Sequence, residues 1–294
     1  MIFSGVNTIS DLEVISEGQK STVEFKSDGE IGYEVRTDKA KKQIKIVVPG
    51  VSLGHRIDEK MDINDGIIDA VEVIKTKGRN SYNTEITINL SSFSSYELVT
   101  EPPSREVKLI IYKSALQNKL IVIDPGHGGD PGAIVGSVEE KTLNLDISLK
   151  LRDILQAQGA KVLMVRDKDI AVDQYVRAGI ANEAGADLYI SIHNNTAARS
   201  SVTGTETWYY PDPDKKAFAT ALQKAVVQAT GAVDRGVKDS VGLIVTRETR
   251  MPSALVEVVF MTNPGDLAKV QTPEYQQKVA EGIFQGVLNY LSGL

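Results

Sequence analysis

The sequence predicts an α/β fold, an open and mostly parallel sheet with helices on both faces, preceded by an all-β sandwich domain. Three observations carry this. Residues 1–115 consist of short segments rich in β-branched residues, and none holds a convincing helical period. That half also repeats itself. From 116 to 294 apolar runs alternate with segments of helical spacing.

In the first half the strands read as "STVEFKS", "IGYEVRT", "QIKIVVPGV", "TEITINL" and "REVKLIIY", separated by Gly, Asp, Ser and Pro. "YEVRTDKAKKQIKIVVP" (33–49) sets against "YELVTEPPSREVKLIIY" (96–112) without a gap, so that Tyr33 matches Tyr96, Thr37 matches Thr100 and Lys45 matches Lys108. Residues 22–32 continue the match, more weakly, against 85–95. Such a duplication predicts two similar sheets packed face to face. A short linker, "YKSALQNK" (112–119), leads into the second half.

There "LIVIDPG" reads as a strand, and "TLNLDISLKLRDILQAQG" as a helix ending at Gly159. "KVLMVR" is a strand, "DQYVRAGIANEAG" a helix closed by Gly185, and "DLYISIH" a third strand. "GTETWYY", a helix over 214–230, the strand "SALVEVVF" and a last helix through "QQKVAEGIFQGVLNYL" complete the series. This alternation is that of an open parallel sheet, whose chemistry collects outside the carboxyl ends of the strands.

Composition narrows the function. With 294 residues, 41% of them apolar and 24% charged, the chain has the balance of a soluble globular protein of one large or two ordinary domains. A net charge of −6 and the lack of a basic block exclude a nucleic-acid binder. No apolar run reaches the roughly 20 residues of a transmembrane helix, and no signal peptide is visible in this sequence. Zero cysteine excludes disulfides and thiolate metal sites.

Only three histidines occur. His127 follows the first strand of the second half in the glycine-rich "DPGHGGDPG", and His193 ends "DLYISIH", so two of the three lie at equivalent ends of two predicted parallel strands. His55, in "PGVSLGHRIDE", reads as a surface loop residue. Glu139 and Glu140 stand just before the first helix, where acidic residues also suit the positive helix end; spacing does not choose between them. Glu257 interrupts the apolar run "SALVEVVF", a costly place for an unpaired carboxylate. Two His, one Glu and an open position suit zinc with a water, and a second Glu beside it suits a general base. A phosphate-binding loop fails for lack of the Gly-Lys-Ser/Thr ending, and a serine hydrolase for lack of a Gly-x-Ser-x-Gly elbow.

Four segments resemble, in order, the motifs of the zinc-dependent N-acetylmuramoyl-L-alanine amidases of bacterial cell walls, of the amidase-3 type: "IVIDPGHGGDPGA", "EEKTLNLDISLKL", "RAGIANEAGADLYISIHNN" and "MPSALVEVVFMTNPGD". The resemblance spans about 119–292 and implies one zinc ion per chain held by His127, Glu140 and His193. It thereby selects Glu140 over Glu139 and makes Glu257 the catalytic base. "EVVF" departs from the small residue more usual before Phe260. Some relatives block the site with an extra helix after the second His; "NNTAARSSVTGTETWYY" leaves no room for one, which predicts an open site. The first half resembles, less specifically, the AMIN-like β-sandwich module that precedes such amidases and is thought to dock on the envelope.

The implied reaction is hydrolysis of the amide between the lactyl group of N-acetylmuramic acid and L-alanine in peptidoglycan, for wall remodelling or cell separation, outside the cytoplasm. Arg247 could hold a substrate carboxylate by bidentate pairing, and Asn195 could sit beside the metal. A monomer is expected. The alternatives are a wall-binding protein without activity, against which the intact set of two His and two Glu speaks, and a two-metal peptidase, which would need more His and Asp.

Overall fold

A computed structural model of the chain describes residues 7–55, 57–77, 82–91 and 95–293. The chain divides into two compact units, Met1–Gln117 and Asn118–Leu294.

The first unit runs through β1 (Thr8–Ser16), β2 (Lys20–Ile31), β3 (Glu34–Asp38), β4 (Gln43–Pro49), β5 (Ser52–Leu53), β6 (Lys60–Asp62), β7 (Ile68–Lys77), β8 (Tyr82–Leu90), β9 (Tyr96–Leu98) and β10 (Ser104–Tyr112). They form two five-stranded sheets, ordered β5-β1-β2-β10-β9 and β6-β7-β8-β4-β3. Their buried residues, among them Val23, Phe25, Val107 and Leu109 from one sheet and Ile44, Ile46, Ile86 and Ile88 from the other, form a single apolar cluster.

The two stretches matched in sequence, 22–49 and 85–112, are divided between the sheets, so that neither sheet is made of one stretch alone. The β3–β4 hairpin of the first stretch pairs with β8 of the second, and the β9–β10 hairpin of the second pairs with β2 of the first. The registers agree residue for residue: Ile44↔Ile88 and Ile46↔Ile86 in one sheet become Val107↔Phe25 and Leu109↔Val23 in the other. The sheets differ at an edge, where β5 runs parallel to β1 but β6 antiparallel to β7. His55 lies exposed in a turn.

The second unit contains β11 (Leu120–Pro125), the small hairpin β12 (Ile134–Val135) and β13 (Val138–Glu139), α1 (Glu140–Ala157), β14 (Lys161–Met164), α2 (Gln174–Glu183), β15 (Leu188–Asn195) and β16 (Thr205–Tyr209). It continues through α3 (Pro213–Thr230), β17 (Asp234–Asp239), α4 (Ile244–Arg247), β18 (Ser253–Phe260), α5 (Pro264–Val270) and α6 (Pro273–Leu291). Six strands make one sheet in the order β14-β11-β15-β18-β16-β17, parallel except where β16 meets β18.

Local chemistry explains the helices. In α1, Leu143, Ile147, Leu151 and Leu155 recur every fourth residue and are all buried, each contributing roughly 1.5–3 kcal/mol. The Asp173 carboxylate caps α2 by accepting from the Tyr175 N–H. Asp212 caps α3 in the same way, with Pro213 at its first position. Helices α1 and α3 both pack on α6, while α2 and α4 close over a separate apolar cluster with Val122, Tyr189 and Leu255 of the sheet. In the second unit sequence reading missed β12, β13, β17, α4 and α5, each of seven residues or fewer, and in the first it named no strand at β1 or β7. Residues 196–204 contain no helix. No described helix is long and apolar enough to cross a membrane.

Candidate metal centre

His127 leaves the end of β11 with φ 63°, an unusual backbone for a side chain with a Cβ. Two buried arginines hold it there. Arg177 donates from Nη1 to Asp124 Oδ1 (2.6 Å) and Pro125 O (3.0 Å), and from Nη2 to His127 O (2.6 Å). Arg166 donates to Pro125 O (2.8 Å), Gly126 O (2.9 Å), Lys141 O (2.8 Å) and Lys168 O (3.2 Å), so its whole charge is spent on loop carbonyls. Asp124, inside the strand read from "LIVIDPG", is fully buried; it also accepts from Tyr189 Oη (2.5 Å) and Ser191 Oγ (3.0 Å). Burial and the Asp124 charge push the Tyr189 phenol well up, so it stays a donor.

Glu140 opens α1 and is buried. Its Oε2 lies 3.1 Å from His127 Nε2 and its Oε1 2.9 Å from His193 Nδ1. The backbone N–H groups of Ala133 (3.0 Å) and Asn194 (3.2 Å) and the Asn144 side chain (3.2 Å) donate to the same carboxylate. Burial alone would raise its pKa; the hydrogen bonds to His127 and His193 outweigh that and hold the group well below the usual carboxylate range. His193 lies at the carboxyl end of β15, as the strand assignment requires.

One ligand atom from each of His127, Glu140 and His193 lies within 4.8 Å of the others, the only such group among the described residues. Two glycines make the space. A Cβ on Gly126 would stand 2.2 Å from the His193 ring, and one on Gly132 would stand 2.5 Å from the His127 ring and 2.8 Å from Glu140. Two imidazole nitrogens, a carboxylate and an open side form a donor set that fits zinc.

Glu257 is the register partner of His193 in the next strand. Its Oε2 is shut off from solvent and has no hydrogen-bond partner. Burial first, then the charges of Glu140 and Glu206, push its pKa well up. Asn195 shares a pocket with Glu257 and donates from Nδ2 to Glu206 Oε1 at 3.1 Å. Arg247 ends α4, whose Ile244 and Val245 line the same groove as His127 and His193. Its Nε donates to Glu248 Oε1 (2.8 Å) and its Nη1 to Val241 O (3.2 Å), and it does not line the 610 Å³ groove that contains His127 and His193.

Sequence reading missed Asp124, Arg166, Arg177 and Glu206. Arg177 carried a usable signal, since it falls on the same helical face as the buried Ala178 and Ala181.

The profile of the Amidase_3 family, described as N-acetylmuramoyl-L-alanine amidase, matches residues 121–289. The chain is 34% identical over 224 residues to the N-acetylmuramoyl-L-alanine amidase LytC of Bacillus subtilis, covering 74% of this chain and 45% of that protein. It is also 34% identical over 193 residues to the germination-specific N-acetylmuramoyl-L-alanine amidase of the same organism, covering 60% of this chain and 81% of that one. The crystal structure of an N-acetylmuramoyl-L-alanine amidase from Clostridium difficile 630 superimposes with a TM-score of 0.58 at 38% identity, over 60% of this chain and 98% of the other. The chain thus spans less than half the length of one of these relatives and most of the others. On these grounds the protein belongs to the N-acetylmuramoyl-L-alanine amidase family.

Proposed function

We propose that this chain is a zinc-dependent amidase that cleaves the bond between the lactyl group of N-acetylmuramic acid and L-alanine in peptidoglycan. The observation that carries the reading is the convergence of His127, Glu140 and His193 beside Glu257, whose Oε2 is buried and unpartnered. His127, Glu140 and His193 would hold one zinc ion. Zinc bound there supplies Lewis acidity, polarising a carbonyl and acidifying a water.

The remaining work falls to residues of this chain. A carboxylate with a raised pKa takes a proton more readily than an exposed one, so Glu257 Oε2 accepts the proton of the attacking water and returns it to the departing alanine nitrogen. Arg166 and Arg177 keep the His127 loop in register for this. The groove beside the histidines, lined further along by Asp173, Gln174, Leu243 and Ile244, offers length for a polymer. Asn195 borders the reacting groups. In this reading Arg247 is a rim residue, and its carboxylate-binding role would require it to leave Glu248.

The first unit is proposed as an AMIN-like β-sandwich that docks the enzyme on the wall, with the chain acting as a monomer outside the cytoplasm in wall remodelling or cell separation. The test is metal content with activity. Purified protein should hold one zinc per chain, lose stem-peptide release on chelation and regain it with zinc. His193→Ala should bind no stoichiometric zinc. Activity that survives complete removal of metal would overturn the reading.

A further inference from the structure

Three side chains form a row across the sheet. His193 on β15 faces Glu257 on β18, and Glu257 faces Glu206 on β16. Beyond Glu206 lies β17, with Arg235 and Lys238. Residues three apart on a regular strand point to opposite faces. Here a register slip between Thr205 and Thr207, with Gly236 at φ 74°, marks a bulge that turns both cations toward Glu206.

Glu206 is buried and fully partnered. Its Oε2 accepts from Arg235 Nε (2.9 Å) and from Lys238 Nζ, and its Oε1 from Asn195 Nδ2 and Trp208 Nε1, each at 3.1 Å. Two cations therefore serve the one Glu206 carboxylate, and neither is hydrogen-bonded to Glu257 among the described residues. Both cations keep about a third of their side chains exposed, 33% for Arg235 and 32% for Lys238. The Arg235 Nη atoms make no hydrogen bond among the described residues, and its Cζ lies 4.8 Å over the Phe260 ring. Lys238 Nζ lies 5.3 Å over Trp208, and it is Trp208, not either cation, that lines a pocket of about 290 Å³ together with Glu257 and Ser240. The free edge of a guanidinium held in this way by an ion pair and a ring can take a carboxylate through two parallel N–H bonds.

We propose that Arg235 and Lys238 form a subsite for a carboxylate on the departing peptide, namely the free α-carboxyl of the D-glutamyl residue that follows L-alanine in the stem. This rests on the amidase reading above. In that reading the alanine nitrogen leaves beside Glu257. The next residue of an extended stem reaches about 7 Å further, and β17 lies two strand spacings from β18, about 10 Å, with its long side chains turned back toward the site. Stems whose α-carboxyl is amidated carry no charge there and forgo the pairing. The subsite thus distinguishes free from amidated stems.

The test compares two muropeptides that continue through the D-glutamyl γ-carbonyl and differ only in whether the α-carboxyl is free or amidated. A charge-assisted pair made with one substrate and not the other gives the free form an advantage of roughly tenfold or more in kcat/KM, read mainly in KM. Arg235→Gln should bring that ratio close to one, and because the ratio is internal to each protein, a partial loss of fold cannot mimic it. Equal kcat/KM for the two substrates in the wild type, or an unchanged ratio in Arg235→Gln, would overturn the subsite. If zinc-loaded wild type cleaves neither substrate, the amidase reading itself fails and the subsite falls with it.

Discussion

His193 and Glu257 are register partners in adjacent parallel strands, so a histidine bonded to Glu140 and a carboxylate with an unpartnered oxygen share one end of the sheet. The sheet, rather than a loop, sets their separation. Rigid placement of this kind is what a metal ligand and a base acting together require.

Glu257→Gln removes the proposed proton acceptor and keeps the shape. Stem release should fall by about 10²–10⁴-fold, the usual worth of a general base. The melting temperature should not fall, because a neutral amide replaces a buried, unpartnered carboxylate. Steady-state rates and thermal melts on the same preparation check both halves.

Gly126→Ala places a methyl group against the His193 ring. We expect zinc affinity to fall by at least the 10–100-fold typical of disturbed outer-shell contacts, with circular dichroism unchanged. Competition with a metal indicator measures the affinity. Wild-type affinity in this variant would show that Gly126 does not shape the centre.

Arg177→Met breaks a buried ion pair and leaves Asp124 with only Tyr189 and Ser191. The expected cost is about 3–5 kcal/mol. For a unit of this size that corresponds to a drop of roughly 10 °C in melting temperature. The His127 loop loses three of its ties at once, so zinc affinity should fall as well.

Glu206 links stability to pH. Burial would raise its pKa, but the hydrogen bonds from Lys238 and Arg235 prevail and hold it below its ordinary value of 4.5. A depressed folded pKa means that the stabilisation is complete above the unfolded pKa and is lost as pH falls through the folded one. The wild type should therefore lose stability on acidification below about pH 4.5, and Glu206→Gln should lose less over the same range. At neutral pH that variant should be less stable by about 3 kcal/mol, at the low end for a broken buried pair because both cations reach water. Melting curves from pH 7 to pH 3 give the difference.

The groups set against an apolar strand were the legible ones. Glu257 interrupts a run of Leu, Val and Phe, while His127 and His193 stand just past the apolar parts of two strands. Strand "SALVEVVF" was readable to its last residue because both of its ends are marked by turn-forming sequence. Arg166 was hidden, since arginine beside a surface element reads as solvated, whereas Arg177 could have been suspected from its helical face; only the fold shows the buried carbonyls that both reach. Glu206 was hidden among alternating strand residues, where its face could not be known without β17. The internal match between 22–49 and 85–112 was visible in sequence, but similarity between two stretches does not say which strands pair. The exchange of hairpins emerges only from the register.

The chemical end that appears when zinc-loaded protein digests purified peptidoglycan decides whether the chain is this amidase. New N-terminal L-alanine is expected on released stem peptides, absent with chelator and with Glu257→Gln. Release of sugar reducing ends or of other amino termini, or wall binding with no release by folded and zinc-loaded wild type, would contradict it.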